Sequence, residues 1–230
     1  MLKNTHEHHQ QVATHERLSS FRVAAIQMAS GPSVSANLEE AARWIEEAVT
    51  QQAQLVVLPE YFCIMGMKDT DKLAVREHPG EGPIQKFLSD TAKRHRIWLV
   101  GGSVPLATSD PNKVYNSCLV YADNGELAAR YDKIHLFGLQ LGNEHYAEEK
   151  TIKAGDKVVT VDSPFGRMGL SICYDLRFPE LFRNMNKVDI ILAPAAFTAI
   201  TGKAHWEVLV RARAVENMAY VIAPGQGGYH

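Results

Sequence analysis

The chain has 230 residues, 46% of them hydrophobic and 22% charged, ordinary globular values that exclude a disordered or fibrous protein. This length suits one domain or two and buries enough surface to stand without a disulfide or metal staple. Twenty-four Lys and Arg against 26 Asp and Glu leave a formal net charge of -2, so no basic excess exists to neutralise a phosphate backbone, and nucleic acid is not expected as a partner.

Residues 1–20 contain no apolar stretch of the kind a signal peptide needs. His6, His8, His9 and His15 lie there without an acidic or cysteine cluster beside them, so the segment reads as a flexible polar tail rather than a metal site. From Phe21 the pattern becomes that of a folded domain, taken to run over 21–230. Phe21 to Ala29 reads as a buried strand. Leu38, Ala41, Ala42, Ile45 and Val49 carry helical spacing through Asn37 to Ala53, and Leu55 to Leu58 is a second buried strand, stopped by Pro59. Pro83 opens a helix that runs to about His95. Strands follow at Ile97 to Val104, Tyr115 to Ala122 and Leu127 to Tyr131, the last two joined through the hairpin signal Asp123-Asn124-Gly125.

Lys133 to Gly155 shows little periodicity and reads as a long functional loop. Beyond it the spacing predicts strands at Val158 to Val161 and Met168 to Cys173, a helix from Pro179, a strand at Asp189 to Ala193, a helix over Lys203 to Asn217 and a last strand at Ala219 to Ala223. Helices alternating with apolar strands at both ends, around a hairpin section, describe one α/β domain with a mixed sheet or two sheets packed face to face. No run of about 18 apolar residues occurs, so no transmembrane helix is expected. Cys63, Cys118 and Cys173 are odd in number and lack CxxC spacing, which fits a reducing, cytoplasmic setting and neither a disulfide framework nor a cysteine zinc site.

Three apolar strands end in or lead to a chemically able residue: LVVLPE in Glu60, LAARYDK in Lys133 and MGLSIC in Cys173. Ligands of α/β sheets collect beyond the carboxyl ends of strands, where these three would converge. Alone, each has a plainer reading, as a solvated loop charge for Glu60 and Lys133 and as a packed core thiol for Cys173. The stretch Tyr174-Asp175-Leu176-Arg177-Phe178-Pro179-Glu180 then describes a sharp turn into a helix, so the sulfur would sit near a helix N-terminus, where backbone N–H groups favour a thiolate.

The blocks LVVLPE (55–60), YDKIHLF (131–137), ICYDLRFPELF (172–182) and TGKAHWEVLVRARAVEN (201–217) occur in the order found in the nitrilase superfamily of carbon–nitrogen hydrolases. From Val23 onward the chain resembles that superfamily, and within it the Nit branch. The resemblance implies a four-layer αββα sandwich and hydrolysis of a linear amide of a small carboxylate-bearing substrate, with no metal or organic cofactor. Deaminated glutathione leads as the substrate, and α-ketoglutaramate, the ω-amidase substrate, is next; a true nitrilase fits less well, because Tyr174-Asp175 follows the cysteine. Cys173 would be the nucleophile that forms a thioester, and Glu60 the general base and acid. Lys133 and the Tyr174 N–H would stabilise the oxyanion. Counting back from Thr151-Ile152 and Gly155-Asp156 places the family's second glutamate at Glu148, with Glu144 and Glu149 as neighbours one register error away. Arg177 is the candidate for a substrate carboxylate, against a structural pairing with Asp175 or Glu180. His205, Trp206, Arg211, Arg213 and Glu216 read as packing and ion pairs, and Cys63 and Cys118 as packing.

The family pattern continues past Gly227-Gly228-Tyr229-His230 with a GHS-containing strand pair and a tail used in packing and dimerisation; without them, an unpaired strand edge is expected. The segment Arg183 to Val188 is shorter than usual, and Gly138 stands where relatives commonly carry an acidic residue. A homo-oligomer is expected if that missing part permits. Two other readings compete with hydrolysis: a non-catalytic remnant keeping the fold and a pocket, and acyl transfer to another amine through the same residues.

Overall fold

The computed structural model describes residues 20–141 and 144–228. The histidines of the tail, the side chain of Glu144 and the last two residues therefore lie outside what is described.

The first half runs β1 (Val23–Ala25), α1 (Val34–Thr50), β2 (Leu55–Val57), α2 (Asp71–Ala74), α3 (Pro83–His95), β3 (Trp98–Ala107), β4 (Val114–Tyr121) and β5 (Leu127–Asp132). These five strands form one sheet in sequence order, parallel from β1 to β3 and antiparallel from β3 to β5. The hairpin β6 (Gly138–Leu141) and β7 (Glu144–Ala147) stands apart from it. The second sheet holds β8 (Thr160–Ser163), β9 (Gly166–Leu170), β10 (Ile190–Leu192) and β11 (Tyr220–Ile222), in the order β11-β10-β9-β8; α4 (Pro179–Asn184) and α5 (Ala199–Asn217) are its crossovers.

Burial on both faces explains why β2 and β10 read as unbroken apolar runs. Leu55 and Val57 face the second sheet, where they join Trp98, Val100, Val120, Tyr131, Met168, Leu170 and Ile172 in one core. Val56 and Leu58 face the other way and pack with Leu99 and Leu119 against Ala41, Ile45, Ile84 and Leu88 of the helices. Helices lie outside and two sheets inside, the αββα sandwich that the resemblance implies.

Local chemistry sets the element ends. Helix α1 begins at Val34, three residues before its apolar spacing, because the Ser33 hydroxyl accepts from the Ala36 N–H at 3.4 Å. Pro83 starts α3 as expected, and Arg96 ends it in the left-handed conformation.

The expected loop from Lys133 to Gly155 is not structureless: it contains the β6–β7 hairpin and a short helical turn, Glu148–Lys150. The hairpin's strands are four residues each, too short for a period-2 signal to stand out in the sequence. Nor does the strand through Met168 reach Cys173. It stops at Leu170, and a single tight 3-10 turn over Cys173–Arg177 follows.

Candidate active site

Glu60 is held by the backbone on either side of it. The Pro59 stretch passes so close over Gly102 that a Cβ there would run into the Leu58 and Pro59 carbonyls. Tyr61 takes a left-handed φ of 58°, a strained value for a non-glycine residue, and its N–H donates to Ser103 Oγ at 2.8 Å. The Glu60 carbonyl accepts from Gln226 Nε2 at 3.0 Å, and that amide also bonds Ser30, tying the end of the described chain to its beginning. The Glu60 side chain is 1% exposed.

Lys133 follows β5 directly. Its N–H donates to the Asn116 carbonyl and its own carbonyl accepts from Gly155, both at 2.9 Å, so the backbone is fixed before the side chain turns inward. Its ammonium lies 2.9 Å from Glu60 Oε1 and 3.0 and 2.9 Å from the two oxygens of Glu148. Glu148 is braced in turn by the Tyr61 hydroxyl and the Phe137 N–H, each at 2.7 Å. Glu148 therefore lies at the site, and Glu149 is exposed.

Cys173 sits 7% exposed at a left-handed φ of 49°. Its N–H donates to the Pro194 carbonyl at 2.9 Å, and its sulfur accepts from the Ala196 N–H at 3.5 Å. Glu60 is its hydrogen-bonding carboxylate neighbour. The turn is clamped by Asp175, which is fully buried: it accepts from Ile172 N–H at 2.8 Å, Tyr131 OH at 2.7 Å and His135 N–H at 3.1 Å, and faces His135 Nδ1 at 2.7 Å. Tyr131 and His135 flank Lys133, so one carboxylate locks the sulfur's turn to the lysine's strand. The His135 ring stacks on Phe178 at 3.7 Å.

Charge and burial oppose each other here. Burial drives the Glu60 carboxyl above its usual range and Glu148 adds to that, against the pull of Lys133. Burial also pulls on the Lys133 ammonium, yet Glu148 and Glu60 outweigh it and hold the proton on nitrogen well above the usual lysine range. Glu148 stays ionised below its ordinary value because Lys133 and three hydrogen bonds overcome desolvation. Burial, then Glu60, push the Cys173 thiol well above the usual cysteine range. This corrects the expectation of a helix-stabilised thiolate: a five-residue 3-10 turn has little dipole, and the charge that acts most strongly on the thiol is the Glu60 carboxylate.

Arg177 pairs with neither Asp175 nor Glu180. Its guanidinium lies 3.3 Å from His205 Nδ1 and within 6 Å of the ring centres of Tyr174 and Phe197, at 5.8 and 5.7 Å. Tyr174 sets its ring at an angle to Phe137 and Phe178, 5.3 Å from each. A groove of about 290 Å³ runs beside Phe137, Gly138 and Tyr146, next to the site but not lined by Glu60, Lys133 or Cys173.

The α5 residues read as structural behave so: Trp206 packs edge-on to Phe197, Arg211 pairs with Glu207 in the open, and buried Arg213 joins Glu216 and caps the Leu176 carbonyl under the cysteine turn. Cys63 and Cys118 are buried free thiols. Among the described residues no group of three His, Cys, Asp or Glu side chains is placed to hold a metal ion, and no helix is long and apolar enough to cross a membrane.

Sequence reasoning missed Asn116, Tyr61, Asp175 and Gln226. Asn116 carried a usable signal: Asn116-Ser117 is a polar pair inside an otherwise apolar strand, and both side chains are buried.

The carbon–nitrogen hydrolase family profile matches residues 22–230. The chain is 43% identical over 220 residues to a deaminated glutathione amidase of Synechocystis, covering 93% of this chain and 80% of the relative. It is also 43% identical over 208 residues to human omega-amidase NIT2, covering 89% and 74%. Among solved structures, Saccharomyces cerevisiae Nit3, described as a member of branch 10 of the nitrilase superfamily, superposes with a TM-score of 0.81 at 33% identity, over 91% of this chain and 79% of Nit3.

Proposed function

Since the chain belongs to the carbon–nitrogen hydrolase family and hydrolyses carbon–nitrogen bonds of linear amides, we propose that it does so through a thioester on Cys173, with Glu60 moving the protons and Lys133 stabilising the oxyanion. One observation carries this reading: a single buried ammonium bridges Glu60 and Glu148, while Glu60 faces the sulfur.

In the first step the Cys173 sulfur attacks the amide carbon as its proton passes to Glu60. A buried thiol with a raised pKa carries its proton until substrate is present, so proton transfer and attack belong together. Oxygen Oε1 already accepts from Lys133 and Asn116, each at 2.9 Å, which assigns the proton to Oε2. An ammonium has three donors. One meets Glu60, one is shared by the Glu148 oxygens, and the third meets the oxyanion together with the Tyr174 N–H, which has no acceptor inside its own turn.

The C–N bond then breaks as Glu60 returns its proton to the leaving nitrogen, leaving the thioester and a free amine or ammonia. Glu60 next takes a proton from water, hydroxide adds to the thioester carbon, the C–S bond breaks and the sulfur recovers the proton. Every proton taken is given back, and the net change is amide plus water to acid plus amine.

Arg177, whose guanidinium lies near the rings of Tyr174 and Phe197, holds a substrate carboxylate. Deaminated glutathione is the substrate we favour, and α-ketoglutaramate the alternative; two relatives equally similar to this chain carry those two activities in their names. A cytoplasmic setting goes with three free thiols, and a homodimer with the exposed Val208, Val215, Met218 and Tyr220 on and beside α5. The test is amine and ammonia release from both amides by the wild type and Cys173→Ala. Loss in the variant, with an acyl adduct on Cys173 seen by mass spectrometry in the wild type, supports the reading; undiminished release by Cys173→Ala overturns it.

A further inference from the structure

A cation that the proposed chemistry does not use lies beside the site. Lys72 is on α2, the short helix between Glu60 and α3 that sequence periodicity does not reveal. Its loop is organised by Asp71, which accepts from the Lys68 N–H at 3.0 Å and packs so closely over Gly66 that a Cβ there would meet its side chain. That arrangement turns Lys72 back over the site: its ammonium stands 5.7 Å from the centre of the Tyr61 ring, whose hydroxyl bonds Glu148.

The ammonium is poorly satisfied. Its hydrogen bond is a long one, 3.4 Å to Thr151 Oγ1, and among the described residues no carboxylate oxygen lies within ion-pair distance. Burial pulls its pKa down, against the opposing pull of the Asp69 carboxylate and, more weakly, of Glu148 and Glu60. A lysine with only a structural duty has no need of this place, since its stem could carry the ammonium outward into water.

The charge of the site points to the occupant. Ionised Glu60 and Glu148 against Lys133 sum to -1, a field that repels an anionic amide at the sulfur. Lys72, whose strongest charged neighbour is Asp69 on its own loop, adds a positive charge that also acts on Glu148, Lys133 and Glu60. We infer that Lys72 is a substrate-binding residue whose ammonium receives an anionic group of the amide on the Tyr61 side of the site. The inference rests on the amidase reading above and assigns a second anion anchor besides Arg177.

Three amides of equal length test it: one with a carboxylate on both the acyl and the amine part, and two in which one or the other carboxylate is replaced by hydroxymethyl. Lys72→Met is expected to raise KM ~10- to 100-fold for the dicarboxylate, the scale of a lost charge-assisted hydrogen bond. The same rise is expected for the analogue that keeps the carboxylate read by Lys72. The other analogue stays within about twofold, and Lys72→Arg recovers most of the loss. An equal change on all three amides, or none on any, overturns the assignment. Calorimetry with glutarate as probe needs no turnover, so it judges Lys72 even if no amide is hydrolysed: binding to the wild type but at least about tenfold more weakly to Lys72→Met is expected. Equal binding, or none to either, overturns it.

Discussion

Asn116 donates to Glu60 Oε1 from 2.9 Å, and Lys133 donates to the same oxygen from the same distance. Two donors on one oxygen fix the carboxylate plane and leave the other oxygen for the thiol. Asn116→Ala removes a donor that favours the ionised form, so Glu60, already raised by burial, rises further. The acid limb of kcat/KM is expected to move to higher pH, with kcat down about tenfold and KM little changed, as for loss of a group acting through the base. A pH–rate profile checks this; an unmoved acid limb contradicts it.

Lys133 decides whether two buried carboxylates are tolerable. Without it, as in Lys133→Met, Glu60 and Glu148 face each other with no cation between them, and loss of one partner of a buried pair costs about 3–5 kcal/mol near neutral pH. The sign with pH follows from the direction of the shifts. In the wild type Glu148 is held below its ordinary pKa, so its contribution is present above the unfolded value and lost on acidification. In the variant both carboxyls are raised, the folded chain binds more protons than the unfolded one, and stability is greatest in acid and falls as pH climbs through the raised values. Denaturant midpoints measured from pH 5 to pH 8 should therefore fall with rising pH in the variant, and a flat or rising profile counts against the bridging role.

The two parts of this molecule were unequally legible in its sequence. Glu60, Lys133 and Cys173 each follow soon after a strand, and ligands collect beyond strand ends, so patterning suggested their meeting while the family resemblance gave them their roles. Glu148 needed a register borrowed from the family, because the two four-residue strands before it are too short to leave a clear periodic trace. Asp175 lay inside a recognised block yet was taken only as a possible partner for Arg177. Its acceptors are filled by Tyr131 and His135, 44 and 40 residues away, pairings that no local spacing reveals. Lys72 was invisible for the same reason: what gives it meaning is its place over Tyr61.

Asp175 is expected to matter to both stability and rate. Alanine there orphans the Tyr131 hydroxyl and the Ile172 N–H in a dry core, at roughly 1–3 kcal/mol for each unsatisfied group. Because the same carboxylate joins the cysteine turn to the flanks of Lys133, kcat should fall by about 10²-fold in the fraction that stays folded. Thermal melts and active-site titration separate the two effects; a variant that melts lower but turns over normally per folded site would leave Asp175 purely structural.

The last expectation separates the reactivity of the sulfur from its usefulness. Burial and the Glu60 charge both hold the proton on Cys173. Alkylation by iodoacetamide in the absence of substrate should therefore be slow at neutral pH and speed up as pH rises past the ordinary thiol range. Glu60→Gln removes the negative charge beside the sulfur while keeping the shape of the side chain. The thiol pKa should then drop, and each unit of drop makes about tenfold more thiolate at a given pH below it. Glu60→Gln is thus expected to alkylate faster than the wild type near pH 8 while hydrolysing amides at least about 10³-fold more slowly, for want of a group to carry the proton. Rates of Cys173 modification, followed by mass spectrometry against the buried Cys63 and Cys118 as internal controls, decide it. Slower alkylation in the variant would mean that Glu60 activates the resting thiol rather than restraining it.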